Sequence, residues 1–369
     1  MVKHVIFAPG RVEILGNHTD YNGGSVISAA IPYGIKASGS RRADDEIILR
    51  TGFLDHPLAC RSFVGDDFMR RSDWSDYPLG VVEMLKVKGL VKGGFEISFT
   101  SGLPAGAGLS SSAALEVSTA LLLARLFEFS LSGMEFAELC KEAENLYVGV
   151  PCGILDQVSS LFGKKNHAIH LDCRTNTVDT ISFPDEVTLL VIQSGETHSL
   201  ASGEYEERRR QCASAAKLLG VPYLCDAPPS LVASSKLLDP ERRRVSHVIN
   251  ENQRVLLFME MLACGNPQEL GRLMTASHES SRLDFENSTP LLDLLVSISV
   301  STPGVLGARL TGGGFGGSVV ALVARDHAAI AGELIVREYS RRSGKKVSFL
   351  ACDLADGALE YNGINPTEG

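Results

Sequence analysis

The sequence predicts a two-domain chain of mixed helix and strand, α/β or α+β, on three observations. At 369 residues it is long for a single hydrophobic core. Its composition, 44% hydrophobic and 21% charged, is that of an ordinary globular protein. Segments with strand and helix patterning alternate through both halves. In chain order, residues 5–8 form a short apolar run stopped by Pro9 and Gly10, a strand followed by a loop. Residues 95–100 alternate as a strand and lead into a glycine-rich turn at 102–108. Residues 110–129 read as a helix without Pro or Gly, apolar around most of its circumference and therefore deeply buried. Residues 187–193 read as an apolar strand and 204–219 as a charged amphipathic helix. Helices follow at 242–263 and 267–277, then strand, glycine-rich turn and strand over 305–323, then helix and strand over 326–354. The domains are placed at 1–190 and 191–369, although no shift in composition marks the boundary.

A net charge of −9 argues against nonspecific nucleic-acid binding, which needs a basic footprint. It does not exclude phosphate ligands, because a local nest of backbone N–H groups holds an anion on an acidic protein. Eight cysteines are scattered without a CxxC pair, as expected for reduced thiols rather than a zinc site. No apolar run reaches the length of a membrane span. The first glycine-rich segment begins at Ala8, leaving no room for a signal peptide. The expectation is a cytoplasmic protein with neither nucleic-acid nor membrane partners.

Three glycine-rich segments, at 8–22, 102–114 and 310–317, carry the chemistry. In the second, Gly102, Gly106 and Gly108 precede a helix opened by Ser110, Ser111 and Ser112. Glycines let backbone N–H groups approach an anion, and the helix N-terminus adds about half a positive charge. No lysine follows, so this is not the Gly-Lys-Ser/Thr nucleotide loop, and the spacing is wrong for a dinucleotide fingerprint. Alone, an unliganded Gly/Ser turn is an equally good reading. In the first segment, Asn17, His18 and Asp20 place three hydrogen-bonding side chains within four residues, which suits a polyol. Asp156 follows the Pro151-Cys152-Gly153 turn and reads alone as a helix cap. Arg11 alone reads as a surface arginine, Glu144 as an exposed helix glutamate and Trp74 as a core residue.

In this order and at these distances the three segments resemble the GHMP small-molecule kinases, and the first is similar to the galactokinase branch. The resemblance implies an α+β fold of two domains, one like ribosomal-protein S5 domain 2 and one ferredoxin-like, with the active site between them. It implies that Gly106, Ala107, Gly108, Leu109, Ser110 and Ser111 cradle the triphosphate of ATP and that Trp74 lies against the adenine. Ser112 and Glu144 would hold Mg²⁺. Asp156 would be the base, with Arg11 stabilising charge on the moving phosphoryl group. Asn17, His18, Asp20, Gly153 and Tyr205 would contact the sugar. Residues 311–317 would support the loop and the base, and Glu251, Arg254, Ser277, His278, Asp284 and Phe285 extend the match. The implied activity is phosphorylation of the anomeric hydroxyl of galactose or a similar sugar by MgATP, through direct in-line transfer, by a monomer or weak homodimer.

The chain departs from that pattern at Asn17, where the branch ordinarily has a glutamate that accepts a hydrogen bond from the sugar 6-hydroxyl. Asparagine removes the charge, a loss of about 1.5–3 kcal/mol if galactose is bound. The hypothesis is that Asn17 shifts preference away from galactose, with a galacturonate or L-arabinose 1-kinase as the alternative reading. Thr197 and Asn145 depart too, with no evident consequence. A non-catalytic sugar and ATP sensor is the alternative class. The intact Ser110-Ser111-Ser112-Ala113 run, with Arg11 and Asp156 both present, favours the enzyme.

Overall fold

The computed structural model describes residues 3–52, 59–64, 69–104, 106–196 and 201–364. Two long strands, β1 (His4–Leu15) and β2 (Ser25–Arg41), pair antiparallel and organise the first half. The strand does not stop at Pro9-Gly10, as the sequence suggested. A register shift between Pro9 and Arg11 absorbs the missing donor, and β1 continues to Leu15. Around this pair lie β3 (Glu46–Thr51), β4 (Ala59–Val64), β5 (Phe95–Ser101), β6 (His167–Asp172) and β7 (Thr177–Ser182). The sheet runs β4-β3-β5-β2-β6-β7 with β1 on β2, and β3 pairs parallel with β5.

Helices α1 (Asp76–Val87), α2 (Ser111–Phe127), α3 (Gly133–Glu142) and α4 (Leu155–Phe162) bury their apolar sides in the first core. Leu121, Leu122 and Leu123 are successive α2 residues and all are fully buried. That agrees with a helix apolar on most sides.

A second sheet contains β8 (Val187–Gln193), β9 (Val305–Thr311), β10 (Ser318–Ala324) and β11 (Phe349–Cys352), all antiparallel in the order β11-β8-β10-β9. With it belong α5 (Ala201–Leu219), α6 (Pro229–Ser234), α7 (Glu241–Cys264), α8 (Pro267–Ser280), α9 (Pro290–Val300) and α10 (Ala328–Ser343). A boundary at 190/191 would cut β8. The sheets change between Ser182 and Val187.

Two features join the halves. Val12, Ile14 and Ile27 share one core with Leu189, Val191, Phe258 and Val320. The short α11 (Ala358–Tyr361) returns to the first half, where the Asn362 amide brackets the backbone of Phe7. The second half of β1, the 102–110 loop, the N-termini of α2 and α4, and the 311–317 loop therefore converge on one place.

Candidate active site

The phosphate-type loop is held open by its backbone. Gly106 and Gly108 have φ of +68° and +67°, and Ser110 adopts +55° before α2 begins. Side chains from two distant segments fix it. The Arg11 guanidinium donates to the Gly108 carbonyl at 2.8 Å, and the Ser318 hydroxyl donates to the Ala107 carbonyl at 2.6 Å. Backbone N–H of Arg11 donates to Leu109 O at 3.2 Å. A cavity of about 280 Å³ lies over this loop, lined by Gly106 to Ser112, Arg11, Asp156 and Thr311 to Gly313. The first-turn N–H groups of α2 and three serine hydroxyls at its mouth suit an oligophosphate.

A second cavity, of about 600 Å³, shares Arg11, Asp156, Gly312 and Gly313 with the first. The two meet at an ion pair. Arg11 Nε and Nη2 donate to the two Asp156 carboxylate oxygens at 2.7 and 2.9 Å, and Ser110 Oγ donates to Asp156 Oδ2 at 2.5 Å. Asp156 lies in the first turn of α4, whose dipole favours its negative charge. Its carboxylate stays partly open to the cavity while Arg11 is nearly enclosed. Such a pair suits a proton acceptor and a charge stabiliser for group transfer between the cavities.

The larger cavity is lined by His18, Asp20, Gly153 and Tyr205. A Cβ on Gly153 would lie 1.9 Å from Asp20 Oδ2, so any side chain there would push the Asp20 carboxylate out of place. Burial, then the charges of Glu13 and Asp156, push the Asp20 carboxyl up to about 6. His18 is held in a left-handed turn with φ of +62° and stacks on Phe285 at 4.4 Å. Its Nε2 donates to the Gly313 carbonyl at 3.1 Å, so Nδ1 accepts the Tyr21 hydroxyl at 2.9 Å. Burial and the nearby His247 lower its pKa to about 3, leaving a neutral ring.

Asn17 borders the cavity, but its amide is fully occupied by protein. Nδ2 donates to Gly312 O at 2.7 Å and Glu13 Oε1 at 3.1 Å, while Oδ1 accepts from Asn287 at 2.7 Å and Ser281 at 3.5 Å. Its backbone is held from behind. Glu251 Oε1 accepts the N–H groups of Gly16 and Asn17 at 3.0 and 3.1 Å. Burial alone would raise the Glu251 pKa, yet Arg254, Arg309 and His247 pull it down to about 2. Ser277 also donates to Glu251 at 2.6 Å, which explains how that part of the sequence match bears on the site.

Glu144 is buried in a single π-helical turn, Ala143–Val148, and reaches the larger cavity. Gln157 donates to it at 3.0 Å and Cys152 at 3.4 Å. Burial and the Asp156 charge push it up to about 7, against hydrogen bonds from Cys152, Gln157 and Ser112. It is a carboxylate in want of a counter-charge, beside a serine of the phosphate loop. Mg²⁺ commonly binds through one or two carboxylates with substrate phosphates and water, so this donor set fits it. Among the described residues no group of three or more His, Cys, Asp and Glu could hold a metal by itself. Trp74 lines neither cavity; it packs edge-on against Phe99 at 6.1 Å, with its indole N–H buried and unpartnered among the described residues. Thr197 and His198 lie outside the described residues. Sequence reasoning missed Glu13, Tyr77 and Glu206, which also line the larger cavity. Only the alternation of β1, which points Glu13 the same way as Arg11, could have found the first.

Family models agree with this geometry. The GHMP kinase N-terminal domain matches residues 76–164, the GHMP kinase C-terminal model 258–341, and a galactokinase galactose-binding signature 2–41. Among solved structures, the chain is similar to Lactococcus lactis galactokinase complexed with galactose, at 31% identity and TM-score 0.90, covering 96% of this chain and 94% of that one. Methanococcus jannaschii mevalonate kinase (21% identity, TM-score 0.70, 96% and 99% covered) and Cytophaga hutchinsonii homoserine kinase (16%, 0.64, 96% and 96%) share the fold. The fold and site thus define a GHMP kinase, a phosphotransferase with an alcohol group as acceptor. Within that family the chain belongs to the galactokinases. This weighs against the alternative that Asn17 diverts the enzyme to galacturonate or L-arabinose. The galactokinase match does not favour those sugars, and the Asn17 amide is already saturated.

Proposed function

We propose that this enzyme phosphorylates the anomeric hydroxyl of galactose with MgATP. The observation that carries the reading is the pair of cavities meeting at Arg11–Asp156, one walled by the glycine–serine loop and the other by His18, Asp20, Gly153 and Tyr205. The smaller cavity takes the triphosphate, on the backbone of Gly106, Ala107, Gly108 and Leu109 and on Ser110 and Ser111. The adenine extends towards Trp74. In the larger cavity, Asp20 and Tyr205 hold sugar hydroxyls, His18 shapes the wall, and Gly153 leaves room for the ring. Asn17 acts through its neighbours. Asp156 accepts the proton of the attacking hydroxyl, and Arg11 offsets charge on the phosphoryl group as it crosses. Ser112 and Glu144 would hold Mg²⁺, which when bound neutralises phosphate charge. Among the described residues no helix is long and apolar enough to cross a membrane. A cytoplasmic monomer or weak homodimer is the matching assembly.

The test is ADP release with MgATP across galactose, N-acetylgalactosamine, galacturonate, L-arabinose and glucose, with the product identified as the sugar 1-phosphate. Galactose should lead in kcat/KM. A tenfold lead by another sugar, about 1.4 kcal/mol of transition-state discrimination, would reject the substrate assignment. Sugar binding without any turnover would reject catalysis.

A further inference from the structure

We propose that Glu13 sets the sugar specificity of this site. Its unpartnered carboxylate oxygen accepts a sugar hydroxyl remote from the anomeric centre, and its charge keeps sugar acids out. The proposal rests on the galactokinase reading above. Glu13 lines the larger cavity and is otherwise nearly enclosed, at 5% exposure. One oxygen is fixed: Oε1 accepts from Asn17 Nδ2 at 3.1 Å and from the fully buried Arg309 at 3.0 Å. Oε2 takes no hydrogen bond from the described residues and is not among the sealed, unpartnered atoms. With Oε1 held by Asn17 and Arg309, Oε2 is the oxygen left to serve the cavity that Glu13 lines. Such preorganisation is what a hydroxyl contact requires.

Position supports the assignment. Arg11 and Glu13 are two residues apart on β1, with regular pairing between them to Ala30 and Ser28. Their side chains leave the same face about 7 Å apart, a spacing comparable with one sugar ring. A sugar whose anomeric hydroxyl meets Asp156 beside Arg11 therefore presents its far side to Glu13. Charge explains the exclusion. Asp20 and Glu206 share the cavity wall with Glu13, while Arg11, the cation in that lining, is already paired with Asp156. A further carboxylate on the sugar would meet like charges in a confined space.

The experiment compares kcat/KM for galactose, 3-deoxy-, 4-deoxy- and 6-deoxygalactose and galacturonate in the wild type and in Glu13→Gln. Each value is divided by that of galactose in the same protein, so the fraction of folded enzyme cancels. In the wild type one deoxy sugar should lose about ten- to a hundredfold, the range for a hydrogen bond to a charged group, and galacturonate should be nearly inert. In Glu13→Gln that deoxy penalty should shrink to about threefold or less, and relative galacturonate turnover should rise at least about tenfold. If Glu13→Gln leaves Arg309 unpaired and folds poorly, Glu13→Asp gives the same reading. It keeps a charge for Arg309 but withdraws the free oxygen, so the penalty should again fall. Unchanged deoxy ratios in every variant, or wild-type turnover of galacturonate equal to galactose, would overturn the role of Glu13. No galactose turnover by the wild type would overturn the activity beneath it, and the proposal with it.

Discussion

Asp156→Asn isolates the step on which the catalytic reading depends. The substitution keeps the shape but cannot accept both Arg11 bonds or take a proton, and Ser110 loses a carboxylate acceptor. Arg11 retains its bond to the Gly108 carbonyl, so the loop and ATP cavity keep their anchor. Weakening this partly open pair should cost about 1–3 kcal/mol of stability, which leaves a folded protein if its margin is ordinary. Loss of a general base removes about 10²–10⁴ in rate, or roughly 3–5.5 kcal/mol at 1.36 kcal/mol per tenfold. The expected result is kcat lower by that range, with the ATP dissociation constant and the sugar KM within about threefold of wild type. Single-turnover ADP formation with enzyme in excess separates chemistry from product release. A variant that keeps more than about a tenth of wild-type kcat would falsify the assignment of Asp156 as the proton acceptor.

Three other perturbations probe the walls of the site. Gly153→Ala pushes a methyl onto Asp20 Oδ2, so the sugar KM should rise about tenfold or more while the ATP KM stays nearly constant; equal effects on both would place the clash elsewhere. Asp20, raised to about 6, is ionised and a full acceptor above that pH and loses its charge below it. At saturating MgATP, kcat/KM for the sugar should therefore climb through about pH 6 and then level, and Asp20→Asn should abolish that inflection. Glu144→Gln should raise the half-saturating Mg²⁺ concentration by about tenfold or more, and EDTA should stop wild-type turnover. Unaltered Mg²⁺ dependence in that variant would remove Glu144 from the metal site.

Elements with strong local signals were legible in the sequence. The helix read at 110–129 is Ser111–Phe127, and the strand read at 187–193 is Val187–Gln193. Strand β2 was not legible, because Pro32, Gly34 and Gly39 interrupt its apolar run. Its pairing shows why they are tolerated: Ile31 to Tyr33 have no partner in β1, so Pro32 withholds no ladder donor from that strand. Likewise nothing local in the sequence tells that Asn287 and Arg309 stand behind the first motif, since that depends on how the second sheet meets the first. Arg11, Asp156 and the glycine–serine loop were legible as a set only through the resemblance to the GHMP kinases, since each alone has a bland reading. Their meeting was not. It needs α4 to deliver Asp156 to the end of the loop where Ser110 and Arg11 wait.

The exchange at position 17 shows the difference between reading a motif slot by slot and reading it in space. Along the chain, Asn17 is a lost carboxylate and implies a changed substrate. In the fold, Asn17 and Glu13 are 3.1 Å apart through Nδ2 and Oε1, at the same wall of the same cavity. Their requirements interlock. Two carboxylates there would repel at close range, whereas an amide at 17 donates to the acid at 13 and leaves its other oxygen to the cavity. Burial pushes the Glu13 carboxyl above the ordinary carboxylate range, and Arg309, from the core, opposes that shift in part. A binding site needs a fixed acceptor at a point in space, and its chain position is free to differ wherever neighbours can hold it. In this enzyme Glu251 fixes the backbone at 16 and 17, while Asn17 and Arg309 fix the acid at 13. On the proposed reading, sugar recognition is written across β1, its turn, α7 and β9 together, with Asn17 as a support within it.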